Sequence, residues 1–235
     1  MQSNFLFLLI LFQSIVWSLD PLSFEKETLI YSAGFRLFSA GEATLIISPD
    51  SLNDSRYILI SKVQTNSFLS KFYKIDDTII SWLSKHDLSL IQTKHKIREG
   101  NYRKDFNAII KGDSLAVVGN NISTIPGKVY DPIAFVYFLR KQNLSIGEKF
   151  NFFSYGRKKI HEVIVKVTEK EKVKVSAGIY NCFKIEPVSN TDEHLLKNNG
   201  VMTIWLSDDN LRLPIKITQN TNIGSMVMEL KTIIN

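Results

Sequence analysis

The chain of 235 residues contains one cysteine, Cys182, so no disulfide can form within it. Cys182 lies in an alternating run from Ile179 to Ile185, which is typical of a half-buried strand. A catalytic thiol needs a base close to it, and the nearest histidines in sequence, His161 and His194, are distant. We therefore predict that Cys182 is a small core side chain.

Histidine is also scarce, and its spacing excludes the common metal motifs. The chain has four histidines, no two of which lie within four residues of each other, and it contains neither HExxH nor CxxC. It also lacks the phosphate-binding patterns GxxxxGK[ST] and GxGxxG and the hydrolase pattern GxSxG. We predict no catalytic residue, no metal site and no cofactor, and hence a protein that is not an enzyme.

Only one hydrophobic run is long. Phe5 to Val16 is almost wholly apolar over about 12 residues, too short to cross a bilayer and the right length for the core of a signal peptide. Ser18 supplies a small residue at the expected cleavage site, so we predict a signal peptide over 1–18 and one exported domain over 19–235. Because no Lys or Arg precedes the run, an uncleaved anchor is the alternative. We expect no membrane span after cleavage.

The charge balance is moderately basic, with 29 Lys+Arg against 23 Asp+Glu and a net charge of +6. The basic residues are spread along the chain among apolar ones, and no nucleic-acid-binding motif is present. We therefore predict a solvated basic surface and no nucleic-acid partner. The hydrophobic fraction of 44% is typical of a globular domain.

Most of the chain after the first hydrophobic run alternates with a period of two. Leu29, Tyr31 and Ala33 fall on one face, for example, and polar turns separate successive runs. Gly41 indicates a bend or a β-bulge, and Glu169-Lys170-Glu171 is predicted to be a turn between two strands. This regular meander predicts a mainly β, single-domain antiparallel sheet.

One segment has helical spacing. Asp131 is a predicted N-cap and Pro132 the first helical residue, and the helix is expected to run over about Pro132–Gln142. It is apolar nearly all round, so it must be buried on more than one side. The prediction is a curved antiparallel sheet or an open β-barrel with one buried helix.

Two pairs of adjacent carboxylates stand out. Asp76 and Asp77 are predicted on a strand, where neighbouring side chains point to opposite faces. Asp208 and Asp209 lie in a predicted turn, which favours such residues for conformational reasons. Pro214, in the strand that follows, predicts an edge strand or a bulge, since proline cannot donate to a sheet ladder.

Aromatic rings form the remaining pattern, with 15 phenylalanines in the chain. They predict either a packed core or the wall of a cavity for an apolar ligand, which a curved sheet with a covering helix can enclose. The rings that we predict to line such a cavity are Phe72, Trp82, Tyr102, Tyr137 and Trp205.

The order of several motifs resembles the DUF3108 family of exported bacterial proteins. These motifs are YSAGFRLFSAGEA, SKFYKIDDTIISWL, REGNYRKDF, DPIAFVYFLR, SAGIYNCFKIEPV, IWLSDDNLRLPIKI and IGSMVMEL, between about Glu25 and Ile233. The resemblance implies a secreted or periplasmic protein of a Gram-negative bacterium with a curved or barrel-like β fold. The function of that family is unknown, so the resemblance implies no catalytic residues.

Three hypotheses follow from the sequence. The first is a non-enzymatic envelope protein that binds a lipid or another apolar ligand, or a partner segment, against its curved sheet. The second is a structural module that contacts envelope proteins or polysaccharide through strand edges and basic faces. The third is a hydrolase with an unrecognised site, in which Asp76 or Asp208 would meet His161 or another base inside a cleft.

Overall fold

The structure is a computed structural model that describes residues 23–35, 38–112, 115–118, 121–156, 159–188, 201–221 and 224–235. The predicted signal peptide over 1–18 lies outside these residues, as does His194.

The first half of the chain forms eight strands in succession. They are β1 (Glu27–Phe35), β2 (Phe38–Pro49), β3 (Arg56–Thr65), β4 (Asp76–Ser84), β5 (Leu90–Glu99), β6 (Tyr102–Lys111), β7 (Leu115–Val118) and β8 (Asn121–Thr124). A short 3-10 turn at Leu69–Lys71 lies between β3 and β4.

The second half begins with the helix and then returns to strands. The elements are α1 (Pro132–Arg140), β9 (Lys149–Gly156), β10 (Lys159–Val175), β11 (Gly178–Val188), β12 (Val201–Ser207), β13 (Pro214–Thr221) and β14 (Gly224–Ile234). The predicted mainly β fold with one helix is confirmed.

All fourteen strands belong to one antiparallel sheet, in the order β8-β7-β6-β5-β4-β3-β2-β1-β14-β13-β12-β11-β10-β9. Among the described residues, the edge strands β8 and β9 do not pair with each other, so the sheet is an open barrel. The segment before α1 bridges β5 and β9: the Leu90 N–H donates to the Val129 carbonyl, and the Tyr130 N–H donates to the Phe153 carbonyl, each at 2.8 Å.

The inner face of the sheet carries the core because every second side chain of a strand points to it. Leu29, Leu45, Leu59 and Leu83 are at most 2% exposed on four neighbouring strands. Burial of this apolar surface is the main favourable contribution to folding, at about 25 cal/mol per Å².

Helix α1 packs inside the curve of the sheet, as its apolar circumference predicts. The Asp131 carboxylate caps its N-terminus by accepting from the backbone N–H groups of Ile133 and Ala134, and Pro132 is its first residue, which confirms both assignments. The Phe135 ring stacks on Phe152 of β9 at 3.7 Å between centroids. The helix ends at Arg140, two residues before the predicted Gln142, because the N–H groups of Lys141 and Gln142 donate only three residues back, to the Phe138 and Leu139 carbonyls.

Strand β10 corrects one prediction. Glu169-Lys170-Glu171 is not a turn, since β10 continues through these residues to Val175 and pairs with β11. A register shift between Val167 and Glu169 leaves one extra residue, Thr168, in β10. The charged triplet resembles a turn in sequence, but its side chains are solvent-exposed on a paired strand.

Two predicted irregularities are confirmed as bulges. The β1–β2 register shifts next to Gly41, which pairs with Ala33 while Ser39 pairs with Gly34. The β12–β13 register shifts where Pro214 lies opposite Leu206. Strand β13 lies inside the sheet, between β12 and β14, so the bulge and not an edge position accommodates the proline.

Candidate functional site

A row of polar side chains lies on the inner face of β4 and β5. Ser81 and Thr93 are paired across the two strands, and their hydroxyl oxygens are 3.0 Å apart. The Thr93 Oγ1 is also 3.0 Å from His95 Nε2, because residues two apart on one strand share a face. Ser81 and Thr93 are buried among apolar neighbours, and pairing of their hydroxyls offsets the cost of that burial.

His95 is the most accessible member of this row. Its ring lies 5.0 Å from the Phe106 ring on β6, between centroids. Burial lowers the pKa of His95, the nearby Asp131 carboxylate raises that pKa, and the Lys104 ammonium lowers it further. The net shift is downward, so the imidazole is mainly neutral at pH 7.

Asp131 connects this row to the helix. Burial raises the pKa of its carboxyl group, whereas the backbone hydrogen bonds from Ile133 and Ala134 and the interaction with His95 lower that pKa. The net direction is upward. The same carboxylate therefore caps α1 and interacts with His95 on the inner face.

Apolar side chains extend the inner face from His95 toward the ends of the strands. Val63 on β3, Ile79 on β4, Ile97 on β5 and Phe106 on β6 are all half-buried. We call these four residues, together with His95, the inner wall. The corresponding positions nearer to α1, such as Leu59 and Leu83, are fully buried.

Two acidic side chains, Asp77 and Glu99, lie on the same face as the inner wall, and Asp77 is paired with Val63. Asp77 on β4 accepts a hydrogen bond of 2.7 Å from the Arg98 backbone N–H. Burial raises the pKa of the Glu99 carboxyl group, and the charge of Asp77 and a hydrogen bond with it raise that pKa further. The Asp77 carboxylate is thus close enough to influence the ionisation of Glu99.

The structure separates the five rings that were predicted to line one cavity. Phe72 and Tyr102 are in the connections before β4 and at the start of β6, where they are 76% and 54% exposed. Trp82 and Trp205 alternate with buried neighbours and lie on the opposite strand face, with the ammonium groups of Lys94 and Lys216 over their rings. Tyr137 alone is fully buried, on α1. The five side chains therefore do not share one cavity wall.

Sequence reasoning missed the polar row, although its signal is present. Ile91, Thr93, His95 and Ile97 alternate along β5, and a polar pair on that apolar face was visible in the sequence. The pairing of Thr93 with Ser81 was not visible, because it depends on the register between β4 and β5.

Both pairs of carboxylates behave as predicted. Asp76 accepts from the Gln64 side chain, whereas Asp77, on the other face, accepts from Arg98. Asp208 and Asp209 lie in the turn between β12 and β13 and contact Lys170 and Ser207 respectively. Within the described part of the chain, no three His, Cys, Asp or Glu side chains form a metal-binding group.

Cys182 is fully buried, which confirms that it packs in the core. Burial raises the pKa of its thiol to about 12, and the carboxylates of Asp209, Glu171 and Asp208 contribute to the increase. The thiol therefore stays protonated at neutral pH.

A shallow pocket lies at the seam between β5 and the segment before α1. Its volume is about 220 Å³, and Leu90, Ile110, Ile125 and Val129 contribute apolar lining. Pockets for drug-sized ligands usually have roughly 300–1,000 Å³. In the described ranges we find no helix with the length and apolar character of a bilayer span.

Comparison with known proteins gives a family and a fold. The model of DUF3108, described as a protein of unknown function, matches residues 29–231. No curated protein matches the chain significantly. The chain is similar in structure to a beta-barrel-like protein of the domain of unknown function DUF1849 from Brucella abortus, with a TM-score of 0.62 and 10% identity over 89% of this chain and 97% of that chain. At that identity the likeness concerns the fold alone.

A second solved structure, a DUF1089 family protein from Pseudomonas aeruginosa, aligns over 91% of this chain and 95% of that chain with 10% identity. Its TM-score of 0.34 is too low for an argument about the fold.

Proposed function

Since this chain belongs to the DUF3108 family, whose function is unknown, we propose a function from geometry: it is a non-enzymatic envelope protein that binds an apolar ligand of the acyl-chain class along its inner wall. The observation that carries the proposal is the set of half-buried apolar side chains of Val63, Ile79, Ile97 and Phe106 on four adjacent strands, where Asp77 is paired with Val63 and Lys104 with Ile97 on the same face. Such a surface on the concave side of a curved sheet gains free energy when an apolar chain covers it.

The polar row, formed by Ser81, Thr93 and His95, places hydrogen-bonding groups next to the apolar side chains of the site. His95 lies between Ile79 on β4 and Phe106 on β6, with Thr93 and the Asp131 carboxylate behind it. Its neutral imidazole offers hydrogen-bonding atoms to a polar headgroup, while the hydrocarbon lies against Ile79 and Ile97.

The same row supports a role without catalysis. The contact of 3.0 Å between Thr93 Oγ1 and His95 Nε2 resembles a nucleophile beside a base. However, Thr93 is only 4% exposed and Ser81 only 1%, so a substrate carbonyl cannot reach either hydroxyl. Location in the periplasm of a Gram-negative bacterium is part of the proposal and follows from the predicted signal peptide and the family resemblance.

The test uses two isoleucines that are adjacent on β4. Ile79 belongs to the inner wall, whereas Ile80 points to the outer face, and both are half-buried. We expect the indole in Ile79→Trp to fill the site and to weaken the binding of cis-parinaric acid, a fluorescent fatty acid, by about tenfold. That factor corresponds to roughly 1.4 kcal/mol of binding free energy. Ile80→Trp is the matched control and should bind like the wild type.

Binding would be measured by fluorescence titration, and native mass spectrometry of the exported protein would reveal any lipid that copurifies. The proposal fails if the wild type neither binds the probe nor carries lipid, or if Ile79→Trp and Ile80→Trp bind equally well.

The second candidate function is a structural module that contacts envelope proteins or polysaccharide. Phe135, Tyr137 and Leu139 of α1 are fully buried, so side chains fill the space around the helix. That packing favours a structural module over a protein with a large ligand cavity. This alternative would be supported if the wild type did not bind the probe and a partner protein copurified with both Trp variants.

A further inference from the structure

Two connections at one end of the sheet expose aromatic rings to solvent. They are residues 66–75, between β3 and β4, and residues 100–104, which comprise the β5–β6 turn and the first three residues of β6, and we call them together the aromatic tip. Its exposed rings are Phe68 (67%), Phe72 (76%), Tyr73 (52%) and Tyr102 (54%). Rings of this size are usually buried, so a cluster of four marks an interaction surface.

Local hydrogen bonds hold the first connection in place. The Asn66 side chain accepts from the Leu69 N–H at 2.9 Å, and the Asn66 carbonyl accepts from the Ser70 N–H at 2.9 Å. The Thr65 hydroxyl lies 2.8 Å from the Ser70 hydroxyl and accepts from the Ile75 N–H at 3.0 Å. The exposed rings of Phe68 and Phe72 therefore project from an ordered turn, in edge-to-face contact at 5.6 Å.

The second connection is fastened to the first. The Gly100 N–H donates to the Lys74 carbonyl at 2.8 Å, and the Arg103 guanidinium donates to the Gly100 carbonyl at 2.6 Å. Gly100 has a φ of +52°, and a Cβ at this position would lie 2.6 Å from the Tyr73 ring. Glycine thus permits both the turn and the close approach of Tyr73.

The aromatic tip is also basic. Its 15 residues include Lys71, Lys74, Arg103 and Lys104 and contain no Asp or Glu. The carboxylates that flank it in sequence are partnered on the strands: Asp76 accepts from Gln64, Glu99 is hydrogen-bonded with Asp77, and Asp105 pairs with Arg98. Lys71, Lys74 and Arg103 therefore accompany the exposed rings, while the Lys104 ammonium lies 5.7 Å from the centre of the Phe106 ring.

We propose that the aromatic tip docks on the surface of a bilayer that contains anionic phospholipid. Aromatic rings are favoured at the level of the lipid headgroups, and each lysine or arginine nearby is attracted to headgroup phosphates. A protein partner fits less well, because a standard interface uses roughly 20–30 residues on each side and the tip has 15. The tip lies outside the inner wall, so this inference does not depend on ligand binding there.

The matched control comes from loops at the other ends of the strands. Leu52, between β2 and β3, is 90% exposed and Leu211, between β12 and β13, is 56% exposed. All four side chains are exposed, so neither double variant, Phe68→Ser/Phe72→Ser or Leu52→Ser/Leu211→Ser, removes a core contact.

The experiment measures cosedimentation of the exported protein with vesicles of phosphatidylcholine and phosphatidylglycerol. We expect the wild type to bind and Phe68→Ser/Phe72→Ser to lower the partition coefficient by about tenfold or more, while Leu52→Ser/Leu211→Ser leaves it unchanged. Lys71→Glu/Lys74→Glu should lower it by about tenfold or more on these vesicles, and the wild type should bind phosphatidylcholine vesicles alone more weakly.

A fluorescence readout locates the contact. In Phe72→Trp, the indole at the tip should shift its emission to the blue when these vesicles are added, beyond any change in the wild type. The inference is overturned if the wild type does not bind, if the two Ser variants lose binding equally, or if the Phe72→Trp emission is unmoved. It is also overturned if the rings bind a second copy of the chain. In that case sedimentation velocity would give the wild type a higher mass than Phe68→Ser/Phe72→Ser.

Discussion

Arg140 and Glu27 form a bidentate ion pair that fastens the end of helix α1 to the start of strand β1. The Nη1–Oε1 and Nη2–Oε2 distances are 2.6 and 2.8 Å, and Arg140 also donates to the Leu211 carbonyl at 3.2 Å. The rings of Phe24 and Tyr137 flank the guanidinium at 5.0 and 4.9 Å. One buried arginine therefore joins the helix, the first strand and the β12–β13 turn.

Removal of one partner of this pair should be costly. Because the Arg140 side chain is 1% exposed, Glu27→Ala leaves a buried charge without its counterion, and we expect a loss of about 3–5 kcal/mol in the free energy of unfolding. The double variant Glu27→Leu/Arg140→Met should lose less than Glu27→Ala, because it buries no charge. Urea unfolding measures both, and an equal or larger loss in the double variant would contradict the expectation.

The two adjacent aspartates of the β12–β13 turn should differ in their contribution. Asp209 accepts from the Ser207 hydroxyl and from the backbone N–H groups of Leu211 and Arg212, so Asp209→Ala should cost about 1–2 kcal/mol. Asp208 pairs with Lys170 at a partly exposed position, and Asp208→Ala should cost less than about 1 kcal/mol. Chemical denaturation compares the two variants. We expect neither to change fatty-acid binding, and a larger loss in Asp208→Ala would refute this ranking.

A methyl group at Gly41 should disrupt the β2–β3 pair. An added Cβ would lie 1.9 Å from the Gln64 carbonyl oxygen, which belongs to the paired backbone and cannot rotate away. We expect Gly41→Ala to destabilise the protein by about 3 kcal/mol, at the upper end of overpacking effects. Gly127→Ala is the control, since its Cβ would meet the Phe153 ring at an ordinary 3.4 Å. Thermal unfolding should separate the two, and similar Tm values would be evidence against the close approach.

His95 should make stability depend on pH in the mildly acidic range. Burial lowers the pKa of His95 in the folded state, whereas the unfolded value is about 6.5. Below about pH 6.5 the unfolded chain binds more protons at this residue than the folded protein does. The free energy of unfolding therefore decreases as the pH is lowered from about 6.5 to the pKa of His95 in the folded state.

Replacement of His95 tests this pH dependence directly. His95→Gln removes the titrating group. As the pH drops below about 6.5, the wild type should therefore lose free energy of unfolding relative to the variant. Denaturation at several pH values measures that difference. A difference that is constant with pH would disprove the assigned shift.

The helix and the long strand β10 illustrate how far local sequence goes. Asp131, Pro132 and the apolar run after them predicted α1, because capping and helical periodicity act within a few residues. The turn predicted at Glu169–Glu171 was wrong, because pairing with β11 across a bulge kept these residues in a strand. A long-range partner outweighed a local preference there.

The candidate site shows the same limit. Alternation along β5 places Thr93 and His95 on one face, so the polar character of the inner face was predictable from local sequence. The contact of Thr93 with Ser81 depends on register, and the approach of Asp131 to His95 depends on where α1 enters the barrel. Phe72 and Tyr102 were selected as cavity residues from their type, yet their connections expose them at the aromatic tip.

The sequence by itself determined the family, the mainly β class, the helix start, and the turn at Asp208 and Asp209, since periodicity, capping and turn chemistry are local. Only the tertiary structure decided the order of the fourteen strands, the pairing of Arg140 with Glu27 across 113 residues, and the surface to which each ring is exposed. These features depend on strand register and on burial against distant segments, where many weak contacts act together and no short stretch of sequence records them.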